Sequence, residues 1–336
     1  MAITFRSLPK GGTIGSGNYV FRHYGNEAPT ELPYLCFTAE KAGSTVAMAV
    51  NKTPTKKQAF EYSTDGSNWS VFKPGTTKIT LANIGDKVYF RGNNRTVSES
   101  SSIYYKFVMS GKIAASGNIM SLLDKTCKST TISNKYCYYY MFRDCTSLTT
   151  APSLPATTLA TQCYSNMFYK CTSLTTAPSL PATTLATQCY SGMFTSCRSL
   201  TTAPSLPATT LATQCYGSMF YKCTSLTTAP ALPATTLVDY CYSNMFNGCT
   251  SLTTAPALPA TTLADYCYGG MFNGCTSLQV YSSSGTGHTK AWRIPTSGSA
   301  SSYTSQSQMF YNCPGSYKTT SSVNLNTTFY TQNTPV

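Results

Sequence analysis

The apolar positions of this chain return at a fixed interval. Cys137, Cys163, Cys189, Cys215, Cys241 and Cys267 are each 26 residues apart, and Cys145, Cys171, Cys197, Cys223, Cys249 and Cys275 keep the same step. One copy reads CYSNMFYKCTSLTTAPSLPATTLATQ over 163–188. Five full copies run from 137 to 266, a sixth starts at Cys267 and breaks after Leu278, and a divergent one returns at Met309, Phe310 and Cys313. A period of roughly 20–50 residues marks a solenoid, propeller or array, in which neighbouring copies bury one another's apolar faces. Within a copy, Cys163, Met167 and Cys171 stand at i, i+4 and i+8, with Tyr164 and Phe168 beside them. That spacing predicts a helix over 162–171, about 15 Å long. Thr161, Thr187, Thr213, Asp239 and Asp265 precede it and read as N-caps. The Thr-rich stretch before Pro178 suits a short strand, and Pro178 and Pro181 end it. The predicted unit is strand, Pro-rich turn, helix.

Residues 31–96 lack this period. Val46–Val50 and Val88–Phe90 alternate, and Thr64-Asp65-Gly66 and Gly85-Asp86 carry turn chemistry, so a small all-β, sandwich-like domain is expected there. Trp69 and Tyr62 read as core residues of it. Residues 1–30 read as an N-terminal arm and 97–136 as the cap of the first copy. The solenoid is expected over 137–280, and 281–336 as an insertion, a divergent last repeat and a C-terminal cap. The chain is thus multidomain, an all-β domain followed by an α/β solenoid.

Composition narrows the function. Charged residues make up 10% of the chain, against roughly 25% in a typical soluble domain. The formal charge of +13 reflects scarce acids and is spread without a dense basic run, so a mildly cationic surface is expected and nucleic acid is not. With two His, His23 and His288, most zinc, haem and non-haem iron sites are out of reach. Neither His lies in a nucleophile–base motif, and there is no P-loop and no GxGxxG. Asp239 and Asp265 are spent as N-caps. No catalytic, cofactor or metal residue is assigned, and an enzyme is not expected. The 15 Cys read as small buried hydrophobes. A bridge inside a copy would span about 12 Å of helix, beyond the roughly 7 Å a disulfide allows. No run of 18 apolar residues is present, so no membrane insertion is expected. The start MAITFRSLPKGG lacks a secretory h-region, from which a cytosolic origin is expected.

The pattern CYxxMFxxCxSLTTAPxLPATTL resembles the BspA-like leucine-rich repeats of Bacteroides-type gut bacteria and their crAss-like phages. FTAEKAGSTVAMAV, EYSTDGSNWSVF and GDKVYFRGNN resemble the small β-domain that precedes such repeats. The chain carries Ala177-Pro178-Ser-Leu180-Pro181 where the commonest form has Ile-x-Ile-Pro. The resemblance implies a leucine-rich-repeat solenoid used for surface adhesion or protein interaction. Together with the absent export signal it implies a phage virion fibre or decoration protein, made in the host cytoplasm and released by lysis. Residues 1–96 would then join other virion proteins, the solenoid would meet a host glycan or protein, and a homo-oligomer is expected. The alternative is a bacterial cell-surface adhesin.

Two surfaces are candidates for ligand binding. One is a row of strand residues, Thr150, Thr176, Thr202, Thr228 and Thr254. The other is the insertion after the sixth copy, with Tyr281, Trp292 and Arg293, since aromatics and Arg anchor interfaces and insertions in a repeat array often lie on its binding face. A solvated β face and a buried cap are the plainer readings of the two.

Overall fold

The computed structural model describes residues 32–260, 262–281, 288–293, 308–314 and 328–332. The expected arm over 1–30 and most of the expected insertion and cap over 281–336 lie outside these residues. What is described is β-rich. Its one helical piece is a 3-10 turn at Ile119–Leu122, capped by Asn118, whose Oδ1 accepts from the Met120 amide at 2.8 Å.

The N-terminal region folds into two sheets. β1 (Leu35–Ala39), β3 (Phe60–Ser63), β4 (Ser70–Phe72), β6 (Lys87–Gly92), β8 (Ile113–Ser116) and β9 (Leu148–Thr150) form the first, in the order β4-β3-β6-β1-β8-β9. β2 (Ser44–Val50), β5 (Lys78–Leu81) and β7 (Tyr105–Ser110) form the second, in the order β5-β2-β7. The alternation read in the sequence is the one observed: Val46 and Met48 are buried between partly exposed neighbours, as are Val88 and Phe90. Phe37 and Phe90 of the first sheet meet Phe107 of the second edge-on, with ring centroids 4.8 and 5.2 Å apart. Tyr62 is half-buried against Phe72, and half-buried Trp69 lies 3.8 Å from the Arg91 guanidinium.

Both sheets run past residue 96. β7 pairs along β2 from Thr45–Ser110 to Val50–Tyr105, and β8 pairs with β1. The segment 97–136 therefore supplies a strand to each sheet as well as covering the first copy. Tyr105 and Phe107 already alternate inward with a period of two, the strand signal that a boundary at 96 overlooks.

The repeated segments are not helical. Cys163 N bonds the Ala160 carbonyl, Met167 N the Tyr164 carbonyl and Cys171 N the Phe168 carbonyl, each three residues back. Gln162, Asn166 and Lys170, the third residue of each of these turns, have φ of 56°, 53° and 59°. A four-residue turn with positive φ at its third position is type II. The segment is a ribbon of successive turns with a period of four. It buries Cys163, Tyr164, Met167, Phe168 and Cys171 completely, as the helix was expected to, so the inward set is right and the helix is overturned. Left-handed φ costs roughly 1–2 kcal/mol at a non-glycine residue. The compensation lies between copies. Gln162, Tyr164, Asn166, Phe168 and Lys170 donate their amides to the carbonyls of Thr187, Cys189, Ser191, Met193 and Thr195, at 2.8–3.0 Å. Within the ribbon these amides point from each copy to the next, whereas on the threonine side Thr175 and Thr253 donate theirs back to Thr149 and Thr227 of the copy before.

Side chains stack with the same step. Phe142, Phe168, Phe194, Phe220, Phe246, Phe272 and Phe310 lie face to face with centroids 5.2–5.7 Å apart. Tyr138 to Tyr268 form a second column at 5.6–6.0 Å. The β-domain begins the phenylalanine column. Phe107 of β7 stacks on Phe142 at 5.4 Å, donates its amide to the Met141 carbonyl at 2.8 Å and accepts from the Cys145 thiol at 3.2 Å. These are the contacts that Phe168 makes to the copy after it, so the sheet residue serves as one more rung.

Candidate functional site

The five threonines come together. Isolated parallel bridges link Thr150 to Thr176, Thr176 to Thr202, Thr202 to Thr228 and Thr228 to Thr254, so each copy contributes one residue to a single line. That line continues the first sheet, because Thr150 ends β9 and β9 runs parallel to β8. Thr176, Thr202 and Thr228 are exposed, while Thr150 and Thr254 are half-buried. Pro two residues further on keeps the bridges single, because it cannot extend the ladder.

Tyr281, Trp292 and Arg293 fall on a separate three-stranded sheet. β10 (Val280–Tyr281) and β11 (His288–Arg293) flank β12 (Thr328–Gln332), with Tyr281 opposite Tyr330, Trp292 opposite Phe329 and Arg293 opposite Thr328. Among the described residues no strand pairing joins this sheet to the threonine line.

The cysteines form two buried columns. In the second, Cys171, Cys197, Cys223, Cys249, Cys275 and Cys313 each donate the thiol to the phenylalanine carbonyl of the copy before, at 3.0–3.1 Å. A cysteine fits there because it fills a small apolar space and supplies a weak donor. Fourteen of the 15 are buried and all are free thiols. Burial pushes Cys145, Cys215 and Cys249 up to about 12, so these thiols are unreactive at neutral pH. Titration with a thiol reagent at pH 8 is expected to label at most half-buried Cys127 quickly in the folded protein. All 15 should react after denaturation without reductant. Thirteen or fewer would mean that disulfides form. Among the described residues, no three His, Cys, Asp or Glu side chains group as metal ligands, and no helix is long and apolar enough to cross a membrane.

A third surface lies along the ribbon. The residues between the inward pairs of the ribbon line up in further columns, Asn166, Gly192, Ser218, Asn244 and Gly270 in one and Tyr169, Thr195, Tyr221, Asn247 and Asn273 in another; Gly192, Thr195 and Gly270 are buried and the rest half-buried. Their identities change from copy to copy where the inward residues do not. Copy-to-copy variation was the available signal for solvent exposure, and it also marks where one rung differs chemically from the next. Comparison with known proteins adds no relative, since no family model, no curated protein and no solved structure matches the chain.

Proposed function

We propose that the chain is a non-enzymatic display protein: a BspA-like leucine-rich-repeat solenoid carried on a phage particle as a fibre or decoration. In this reading the N-terminal region, residues 1–96, joins other virion proteins, and the stacked copies meet a host-surface glycan or protein. The observation that carries it is the division of labour within each copy. Cys, Met, Phe and Leu are committed inward without variation, and the exposed or half-buried threonine line and the half-buried Asn, Tyr and Ser of the ribbon recur at one rung spacing. Such a surface presents weak contacts many times over, which multiplies avidity without a deep pocket. The turn ribbon takes the place of the helix that an α/β leucine-rich repeat would have.

A bacterial surface adhesin would present the same columns. The thiols favour the phage reading, because cysteines in this number without a disulfide suit folding in a reducing cytoplasm. Mass spectrometry of purified particles is the test. Peptides of this chain are expected at a stoichiometry comparable with the capsid or tail proteins. A chain absent from particles but present on the surface of uninfected cells would replace this reading with the adhesin one.

A further inference from the structure

We infer that the outer face of the turn ribbon holds a binding site for an acidic saccharide, centred on the copy that begins at Cys189. This deepens the adhesive reading above and rests on it.

The site exists because one rung is small between two large ones. In the tyrosine column Thr195 stands between Tyr169 and Tyr221, and in the neighbouring column Gly192 and Ser218 stand between Asn166 and Asn244. The result is an open trough of about 520 Å³, walled by Tyr169 and Tyr221 and floored by Gly192 and Thr195. Each rung advances by 5.5–5.6 Å at the phenylalanines beneath, so the two tyrosines stand two rungs apart with one rung of free width between them. The floor is fixed. Thr195 donates its hydroxyl to the Ser218 carbonyl at 2.9 Å and is 8% exposed. Gly192 has φ +62°, and a Cβ there would lie 2.3 Å from Oδ1 of Asn166. The glycine is therefore what lets the Asn166 amide lean across the rung.

The chemistry of the lining selects the ligand. Two phenol rings offer faces for the C–H side of a sugar ring, and carboxamides and hydroxyls offer both donors and acceptors to sugar hydroxyls. The charge is one-sided. Lys170 and Lys222 are exposed on the same rungs as the tyrosines, with ammonium nitrogens 5.2 and 5.1 Å from the Tyr169 and Tyr221 ring centroids. Between Cys145 and Val238 the sequence contains no Asp or Glu at all. Asp144, one rung before Lys170, is already paired with Lys106 at 3.2 Å. Lys170 and Lys222 stand beside the trough and not in its lining, and the Arg143 guanidinium lies 5.3 Å from the Tyr169 ring centroid, so a carboxylate or sulfate on the bound sugar would find a cationic rim around the two tyrosines.

The repeat supplies the variants that test this. Thr195→Tyr gives the middle rung the residue that its neighbours carry, so it fills the trough with a side chain already accepted by the fold. Lys170→Gln with Lys222→Gln removes the two lysine charges at the rim, leaves Arg143 and Arg198, and keeps the walls. Binding of the full-length chain to immobilised tetragalacturonate, sialyllactose and a heparin tetrasaccharide would be measured, with lactose and cellotetraose as neutral probes. At least one acidic probe is expected to bind and to lose roughly tenfold or more in affinity with Thr195→Tyr, at an unchanged melting temperature. The double lysine variant should bind the acidic probe more weakly and with a smaller salt dependence. Equal binding of neutral probes, tighter binding of a single-stranded oligonucleotide, or no binding of any acidic probe would overturn the site. So would acidic binding that Thr195→Tyr leaves intact, although the adhesive reading would survive that result. Absence of the chain from particles would remove the virion assignment and leave the site standing.

Discussion

Between about pH 9 and 11 the protein is expected to unfold cooperatively, and the cause is its own core. An unfolded thiol titrates at about 8.5–9. In the folded chain burial holds Cys137 and Cys267 up to about 11 and Cys145, Cys215, Cys249 and Cys313 up to about 12, and raises Cys163, Cys171, Cys189, Cys197, Cys223, Cys241 and Cys275 as well. Below pH 8.5 both states keep the proton and the full stability is present. Above it the unfolded chain releases protons that the folded chain retains, and each buried thiol then costs about 1.4 kcal/mol of stability per pH unit. Thirteen thiols acting together exceed a typical stability of roughly 5–15 kcal/mol within about one unit. The buried phenols of Tyr138, Tyr164, Tyr190 and Tyr268 are also raised and add to the slope beyond pH 10. Circular dichroism followed from neutral pH upward, under nitrogen with a phosphine reductant, would show the transition. A native spectrum persisting at about pH 11 would contradict it.

Replacing Phe194 by Ala is expected to cost about 3–5 kcal/mol. The ring is fully buried and lies between Phe168 at 5.5 Å and Phe220 at 5.6 Å, so its loss opens a cavity in the middle of a column. In a stack each copy touches only its neighbours, so the damage should concentrate in adjoining copies and appear as faster amide exchange there than at the β-domain. Ser205→Ala is the contrast: it is exposed on the Pro-rich turn, and the equivalent positions are already Ala231 and Ala257, so it should stay within about 0.5 kcal/mol. Urea denaturation of both variants measures the difference. A Phe194→Ala cost below about 1 kcal/mol would mean that the column is not the main support of the stack.

The inward face of the repeat was legible in the sequence, and its backbone was misread for a specific reason. Over nine residues a helix of 3.6 per turn and a ribbon of four per turn place Cys163, Met167 and Cys171 on the same side. The burial pattern therefore could not separate them. The residues in between could: Asn166, Gly192, Asn244 and Gly270 share one column and Asp144, Gly248, Gly274 and Asn312 another, and Asn, Asp and Gly are the types that tolerate left-handed φ. The β-sheets were readable from alternation in β2 and β6. Their limit was not, because β7 and β8 sit directly before the first copy and bond to it. The threonine line followed from the repeat alone. The trough did not, since it depends on how large the residues are on three successive rungs, a comparison across the stack that no single copy contains.

The repeated bonding between copies has an evolutionary consequence. Every copy offers ribbon amides forward and threonine-side amides backward in the same pattern, so any two copies meet through the same joint. A 26-residue stretch of coding sequence duplicated or lost in frame between equivalent positions yields a longer or shorter stack with no new interface to select. The reach of the display surface, and the order of large and small residues along it, can therefore change in single recombination events while Phe107 keeps the first rung locked to the sheets.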